Sequence, residues 1–144
     1  MELDLEGNIQ AISYMNPRQA PDLPKWYLND SAITVSLDGK ILNEYSILDL
    51  ALENRMYSSF YKMYPNSNDP LHINDIEIAR ESNGFWERGD LVFSARAPDL
   101  VFIFRPSTGK VVWQKRGPWL RQHDPDFLED GRISVFGNDF IDWQ

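Results

Sequence analysis

Cysteine is absent from this 144-residue chain, which excludes disulfides and thiolate metal sites and leaves the redox compartment undetermined. Positive charge is scarce: 14 Lys and Arg stand against 22 Asp and Glu, a net charge of −8. That balance argues against nucleic acid or an anionic membrane as the partner, because both select basic patches. The longest basic cluster is Lys115-Arg116. No apolar run approaches the ~20 residues that span a bilayer. The opening Met1-Glu2-Leu3-Asp4-Leu5-Glu6 is acidic and lacks the apolar core of a signal peptide, so the compartment is left unknown. Histidine is nearly missing as well, with His72 and His123 as the only two.

What is present is the composition of a folded, aromatic-rich domain: 42% hydrophobic and 13% aromatic, with five Trp, six Tyr and eight Phe. The length fits one domain with a real core. Alternating apolar and polar residues predict strands at Asn8–Tyr14, Ala32–Leu37 and Ile41–Leu48, the last two joined by an Asp38-Gly39-Lys40 hairpin turn. Further strands are predicted at Asp75–Ala79, Asp90–Arg96, Leu100–Phe104 and Lys110–Lys115, then at Asp126–Leu128 and Arg132–Phe136. One helix is expected over Leu50–Tyr64, from the 3–4 residue spacing of Leu50, Ala51, Met56, Phe60 and Met63, followed by a Pro65–Pro70 loop of turn formers.

The strands fall into four-part units of short antiparallel connections, which predicts an all-β chain of β-propeller blades with one helical insertion. The expected organisation is a blade over residues 1–48, an insertion over 49–70, a blade over 71–118 and a half blade over 119–144. The competing all-β reading is a sandwich. About two and a half blades is less than the four to eight of a closed propeller. Open sheet edges invite pairing, so a homo-oligomer or a partner chain over those edges is expected.

The two histidines sit in a doubled phrase, His72-Ile73-Asn74-Asp75-Ile76 and His123-Asp124-Pro125-Asp126-Phe127. Each copy leads into a predicted strand, which places the histidines at equivalent positions of two units. If the first strand of every blade lines one channel, both histidines lie at the same mouth. Arg96, closing a second strand that runs antiparallel, ends there too.

These residues resemble the bacterial arylsulfate sulfotransferases, which are six-bladed propellers. The resemblance rests on His72-Ile73-Asn74-Asp75, Leu91-Val92-Phe93-Ser94-Ala95-Arg96, Thr108-Gly109-Lys110-Val111-Val112-Trp113, Gln122-His123-Asp124 and Asp130 through Asn138. It implies transfer of a sulfuryl group from an aryl sulfate to a phenol, a periplasmic or secreted location, and no cofactor. By the same resemblance His123 is the nucleophile that is transiently sulfated, and His72, Asn74 and Arg96 are its companions. The chemistry suits the division. A loose transition state spreads charge over the equatorial oxygens, as in phosphoryl transfer, and needs a nucleophile, a multi-donor cation and a proton donor for the leaving phenolate. Arg96 supplies the fork of donors, Asn74 an amide, and His72 the acid and then the base. A further histidine of the family would align just upstream of Met1.

Plainer readings stand beside each assignment. Arg96 can be a surface ion pair with Asp99, and Asn74 a brace for its turn. Asp75 and Asp126 are expected to tie their strands to neighbouring backbone amides. The tryptophans Trp26, Trp86, Trp113, Trp119 and Trp143 are expected mainly to pack, with Trp119 the candidate to stack on an aromatic substrate. No metal site is read: Asp124, Asp126 and Asp130 lack an EF-hand ladder, and no carboxylate spacing joins the histidines in a triad. The rival to the catalyst is a non-catalytic module used for assembly or binding.

Overall fold

The computed structural model describes residues 1–15, 28–56, 58 and 69–139. A first antiparallel sheet has strands in the order β1 (Glu2–Leu3), β2 (Ile9–Met15), β3 (Asn29–Val35) and β4 (Ile41–Ser46). A second has β5 (Ile73–Ile78), β6 (Leu91–Ala95), β7 (Leu100–Arg105) and β8 (Lys110–Arg116), again in chain order. β9 (His123–Phe127) and β10 (Ile133–Phe136) form a third sheet of two strands. The chain is therefore mostly β, with antiparallel four-stranded sheets as expected, and none of the sheets closes on itself.

The helix differs from the expectation. α1 runs Ile47–Glu53, so Ile47 and Leu48, read in the sequence as the end of a strand, are helical. The cause is Ser46, whose side chain accepts the Asp49 N–H at 3.0 Å and caps the first turn. The end is set by Asn54 and by Arg55 in the left-handed region (φ 58°). The aromatics Tyr57, Phe60, Tyr61 and Tyr64 lie outside the described residues, as do Trp26, Trp143 and positions 65–68. α1 packs its apolar side chains into the core. Ile47, Leu48, Leu50 and Ala51 are buried, and Asn54 accepts from the Val111 N–H of β8 at 2.9 Å.

The second sheet is the centre of the molecule. Every residue of β6 is buried, and all of β7 except Arg105. Alternation sends Leu91, Phe93, Phe102 and Phe104 into a core shared with Ala32, Ile47 and Leu48, while Val92, Val101 and Ile103 face Trp86, Phe127, Ile133 and Val135. Phe93 stacks on Phe102 with ring centroids 5.0 Å apart, and Trp86 packs on Phe127 at 4.7 Å. Each fully buried aliphatic or aromatic side chain is worth roughly 1.5–3 kcal/mol, so a sheet covered on both faces is held far more firmly than one with a wet face.

Carboxylates of the first and second sheets accept backbone amides at or just before the start, and at the end, of the next sheet's first strand. Between the first and second sheets, Asp30 accepts the Ile73 N–H (2.9 Å) and Glu2 accepts the Ile78 N–H (3.1 Å). Between the second and third, Asp99 accepts the Arg121 N–H and Glu77 the Phe127 N–H, both at 2.6 Å. The sequence assigned such ties to Asp75 and Asp126. Asp126 instead accepts from the Ser134 hydroxyl at 3.0 Å, and Glu77 holds the strand. Asp75 keeps to its own strand, with the Ile76 N–H as its backbone partner, while Glu77, two residues on, reaches the Phe127 N–H of the next sheet.

Candidate functional site

The junction between β5 and β9 gathers four of the five residues singled out in the sequence. His72 stands immediately before β5 in the left-handed region (φ 50°), a costly conformation for a non-glycine residue. Three bonds hold it there. Its N–H donates to Asp69 Oδ1 (3.0 Å), its Nδ1 meets Asp69 Oδ2 (2.6 Å), and its carbonyl accepts the Arg96 N–H (3.0 Å). That last bond fixes the backbone of Arg96, the first residue beyond β6, at the same end of the sheet as His72. The imidazole stays open to solvent, 43% exposed.

Asn74 occupies a bulge, because β5 slips register against β6 between Ile73 and Asp75. The bulge turns its side chain across the junction instead of bracing its own turn. Its amide nitrogen donates to the Gln122 carbonyl (2.9 Å) and to His123 Nδ1 (2.8 Å). Its Oδ1 is buried with no hydrogen-bond partner among the described residues. Gln122, fully buried, anchors the histidine from behind: its amide nitrogen reaches Ser94 Oγ (3.2 Å), the Ala95 carbonyl and the Leu100 carbonyl (both 3.0 Å).

Electrostatics unites the group. Desolvation pushes the His123 pKa below its ordinary value, and the charges of Arg96 and His72 push the same way, against Asp124. His123 is therefore held neutral near pH 7, the form that carries a lone pair. Arg96 lies near enough for its charge to act on His123, while Asp99 Oδ1 receives the Arg121 N–H.

The hydrogen-bond register corrects one sequence reading. Ala79 reaches the Asp90 carbonyl as Leu128 reaches that of Arg132, and Ile78 pairs with Leu91 as Phe127 pairs with Ile133. Counting back along each strand aligns His123 with Asn74, and His72 with Arg121. The φ values agree, 50° at His72 and 49° at Arg121. The doubled phrase matches by residue type but is two residues out of structural register. The histidines converge because one precedes its strand while the other begins the next.

Trp119 has other neighbours. Its indole N–H donates to the Asp99 carbonyl (3.1 Å), and Lys115 lies over its ring at 5.9 Å. With Trp86, Trp113, Ile133 and Val135 it lines a groove of about 410 Å³ between the second and third sheets, and none of the four junction residues lines it. Sequence reasoning passed over Asp69 and gave Gln122 no role. The signal for Asp69 was its spacing, three residues before a histidine, the span of a side-chain-to-backbone turn. Among the described residues there is no group of three potential metal ligands and no helix long and apolar enough to cross a membrane.

A family model described as arylsulfotransferase (ASST) matches residues 13–143. No curated protein and no solved structure matches the chain.

Proposed function

The chain belongs to the arylsulfotransferase family, and from that premise we propose that it transfers a sulfuryl group from an aryl sulfate to a phenol through a sulfated His123. The observation that carries the reading is the meeting of His72, Asn74, Arg96 and His123 at one strand junction. The three sheets are read as two propeller blades over 1–48 and 71–118, with the insertion at 49–70 between them, and a half blade over 119–144, with open edges that a second chain covers.

The proton inventory supports a specific order of events. Asn74 Nδ2 can only donate, so His123 Nδ1 accepts and the neutral ring carries its proton on Nε2. Asp69 can only accept when ionised, so His72 Nδ1 donates and the His72 lone pair lies on Nε2. In the first half-reaction His72 Nε2 removes the Nε2 proton of His123, and the lone pair so freed forms the N–S bond, with Asn74 donating to Nδ1 and Arg96 offsetting the negative charge that develops on the ring. The S–O(aryl) bond breaks, and protonated His72 returns the proton to the departing phenolate. The product is a neutral imidazole bearing a sulfo group, its Nδ1 still accepting from Asn74, plus a phenol. In the second half-reaction His72 deprotonates the acceptor phenol, whose oxygen attacks sulfur, and His123 recovers its proton. Arg96 offers its donors to the sulfuryl oxygens, where charge is spread in a loose transition state.

The test is incubation with 4-nitrophenyl sulfate and a phenol acceptor. Wild-type protein is expected to release 4-nitrophenol, and His123→Ala to lose that release. Equal release by the two proteins removes the catalytic reading and leaves the non-catalytic binding or assembly module.

A further inference from the structure

Asp69 bonds His72 twice. It accepts the backbone N–H at 3.0 Å and faces the ring nitrogen at 2.6 Å, while remaining largely buried itself, with 17% of its side chain exposed against 43% for the histidine. The first bond sets the main chain in its left-handed conformation, and the second sets the ring. Across the junction, Asn74 holds His123 by the same nitrogen with the opposite polarity, as donor instead of acceptor. Nδ1 is thus the anchored nitrogen of both rings, and Nε2 is the nitrogen left for chemistry in both. The two anchors demand opposite proton placements.

We propose that Asp69 is a positioning residue that locks His72 in the Nδ1–H tautomer, complementary to the Nε2–H tautomer that Asn74 imposes on His123, so that the junction presents one Nε2 acceptor and one Nε2 donor. This rests on the sulfuryl-transfer reading, in which His72 must receive a proton at Nε2 before it can give one. Without the lock, the ring that relays the proton is free to carry it on Nε2, where it presents a proton instead of the lone pair that is needed. A carboxylate that orients a histidine without itself taking the proton is the arrangement of the serine-protease triad, where exchanging it for an amide reverses the tautomer and costs orders of magnitude in rate. Here the amide exchange is informative for the same reason. In Asp69→Asn the amide oxygen would keep the backbone bond, while the amide nitrogen would donate to His72 and drive the ring proton to Nε2.

The experiment compares wild type, Asp69→Asn and Asp69→Ala by imidazole ¹⁵N chemical shifts and by turnover of 4-nitrophenyl sulfate. In wild type the neutral His72 is expected to show Nδ1 protonated and Nε2 bare. Asp69→Asn is expected to reverse that pattern, leave His123 Nε2–H in place, and lower kcat by roughly 10²-fold or more with KM little changed. Asp69→Ala is expected to lose the single-tautomer signature. An unchanged His72 tautomer in Asp69→Asn overturns the proposal, whatever the turnover. The ¹⁵N readout needs no substrate, so a wild-type protein inactive on aryl sulfates removes the sulfuryl-transfer reading while the tautomer result still decides the role of Asp69.

Discussion

Gln122 shows how much of a functional site can be carried by a residue with no chemistry of its own. Its amide nitrogen bonds three oxygens, of Ser94 and Ala95 in β6 and of Leu100 at the start of β7, and its backbone carbonyl receives both Asn74 and the Ser94 hydroxyl. Truncation would strand those buried acceptors without their donor and open a cavity beside them. Gln122→Ala is expected to cost about 2–4 kcal/mol, read as a lower urea midpoint at unchanged m-value. A midpoint within experimental scatter of wild type would mean that Gln122 does not hold the junction. At this scale the sequence was informative about residue types and silent about directions. His72, Asn74, Arg96 and His123 were all legible as a set. That Asn74 crosses to the next sheet depends on the bulge at Ile73/Asp75, and a bulge is a property of two paired strands, invisible in either one alone.

Between elements, the joints are carboxylates that accept unpaired strand amides. Glu77 is the most exposed to challenge, because burial pushes its pKa up to about 7, with Glu2, Asp126 and Asp75 adding repulsion, although the Phe127 N–H opposes the shift. Glu77→Gln keeps an acceptor for Phe127 and removes the charge. It is expected to raise the thermal midpoint at pH 8 and to change little at pH 5, where the wild-type group is already protonated. Glu77→Ala lacks the acceptor and should lower the midpoint at both values. Identical behaviour of the two variants would show that charge, not the hydrogen bond, decides this joint. Strand positions were legible in the alternation of apolar residues, but α1 was not placed correctly at its start. Ile47 and Leu48 are apolar neighbours that fit a buried strand or a helix equally well, and the Ser46 cap decided between them.

For the whole molecule, two carboxyls give stability a definite pH dependence. Asp30, desolvated within the first sheet and repelled by Asp69, is pushed up to about 7 despite the Ile73 N–H, as Glu77 is. In both cases the folded state binds the proton more tightly than the unfolded chain does. Between the ordinary carboxyl range and about pH 7, unfolding therefore releases protons, and stability falls as pH rises through that window. The lowered pKa of His123 acts in the other direction, but it is one group, and Asp75, also pushed up by burial, sides with the two carboxyls. The urea midpoint is expected to be higher at pH 5.5 than at pH 8, and the difference to shrink in Asp30→Asn/Glu77→Gln. A midpoint that rises steadily from pH 5.5 to pH 8 would contradict this account.

The sequence by itself determined the mostly-β class of fold, the family, and four of the residues that meet at the candidate site. Those follow from local patterns: strand alternation, turn chemistry, and rare residues held in order. The tertiary structure decided what each of those residues faces. It aligned His123 with Asn74 instead of His72, brought Asp69 to the ring of His72, moved Trp119 into the groove beside Trp86, and passed the strand ties from Asp75 and Asp126 to Glu2, Asp30, Glu77 and Asp99. The physical reason is common to all four. Register between strands is fixed by hydrogen bonds and buried faces over the whole sheet: a displacement of one residue exchanges the faces of the side chains, and one of two residues keeps the face and exchanges the neighbours.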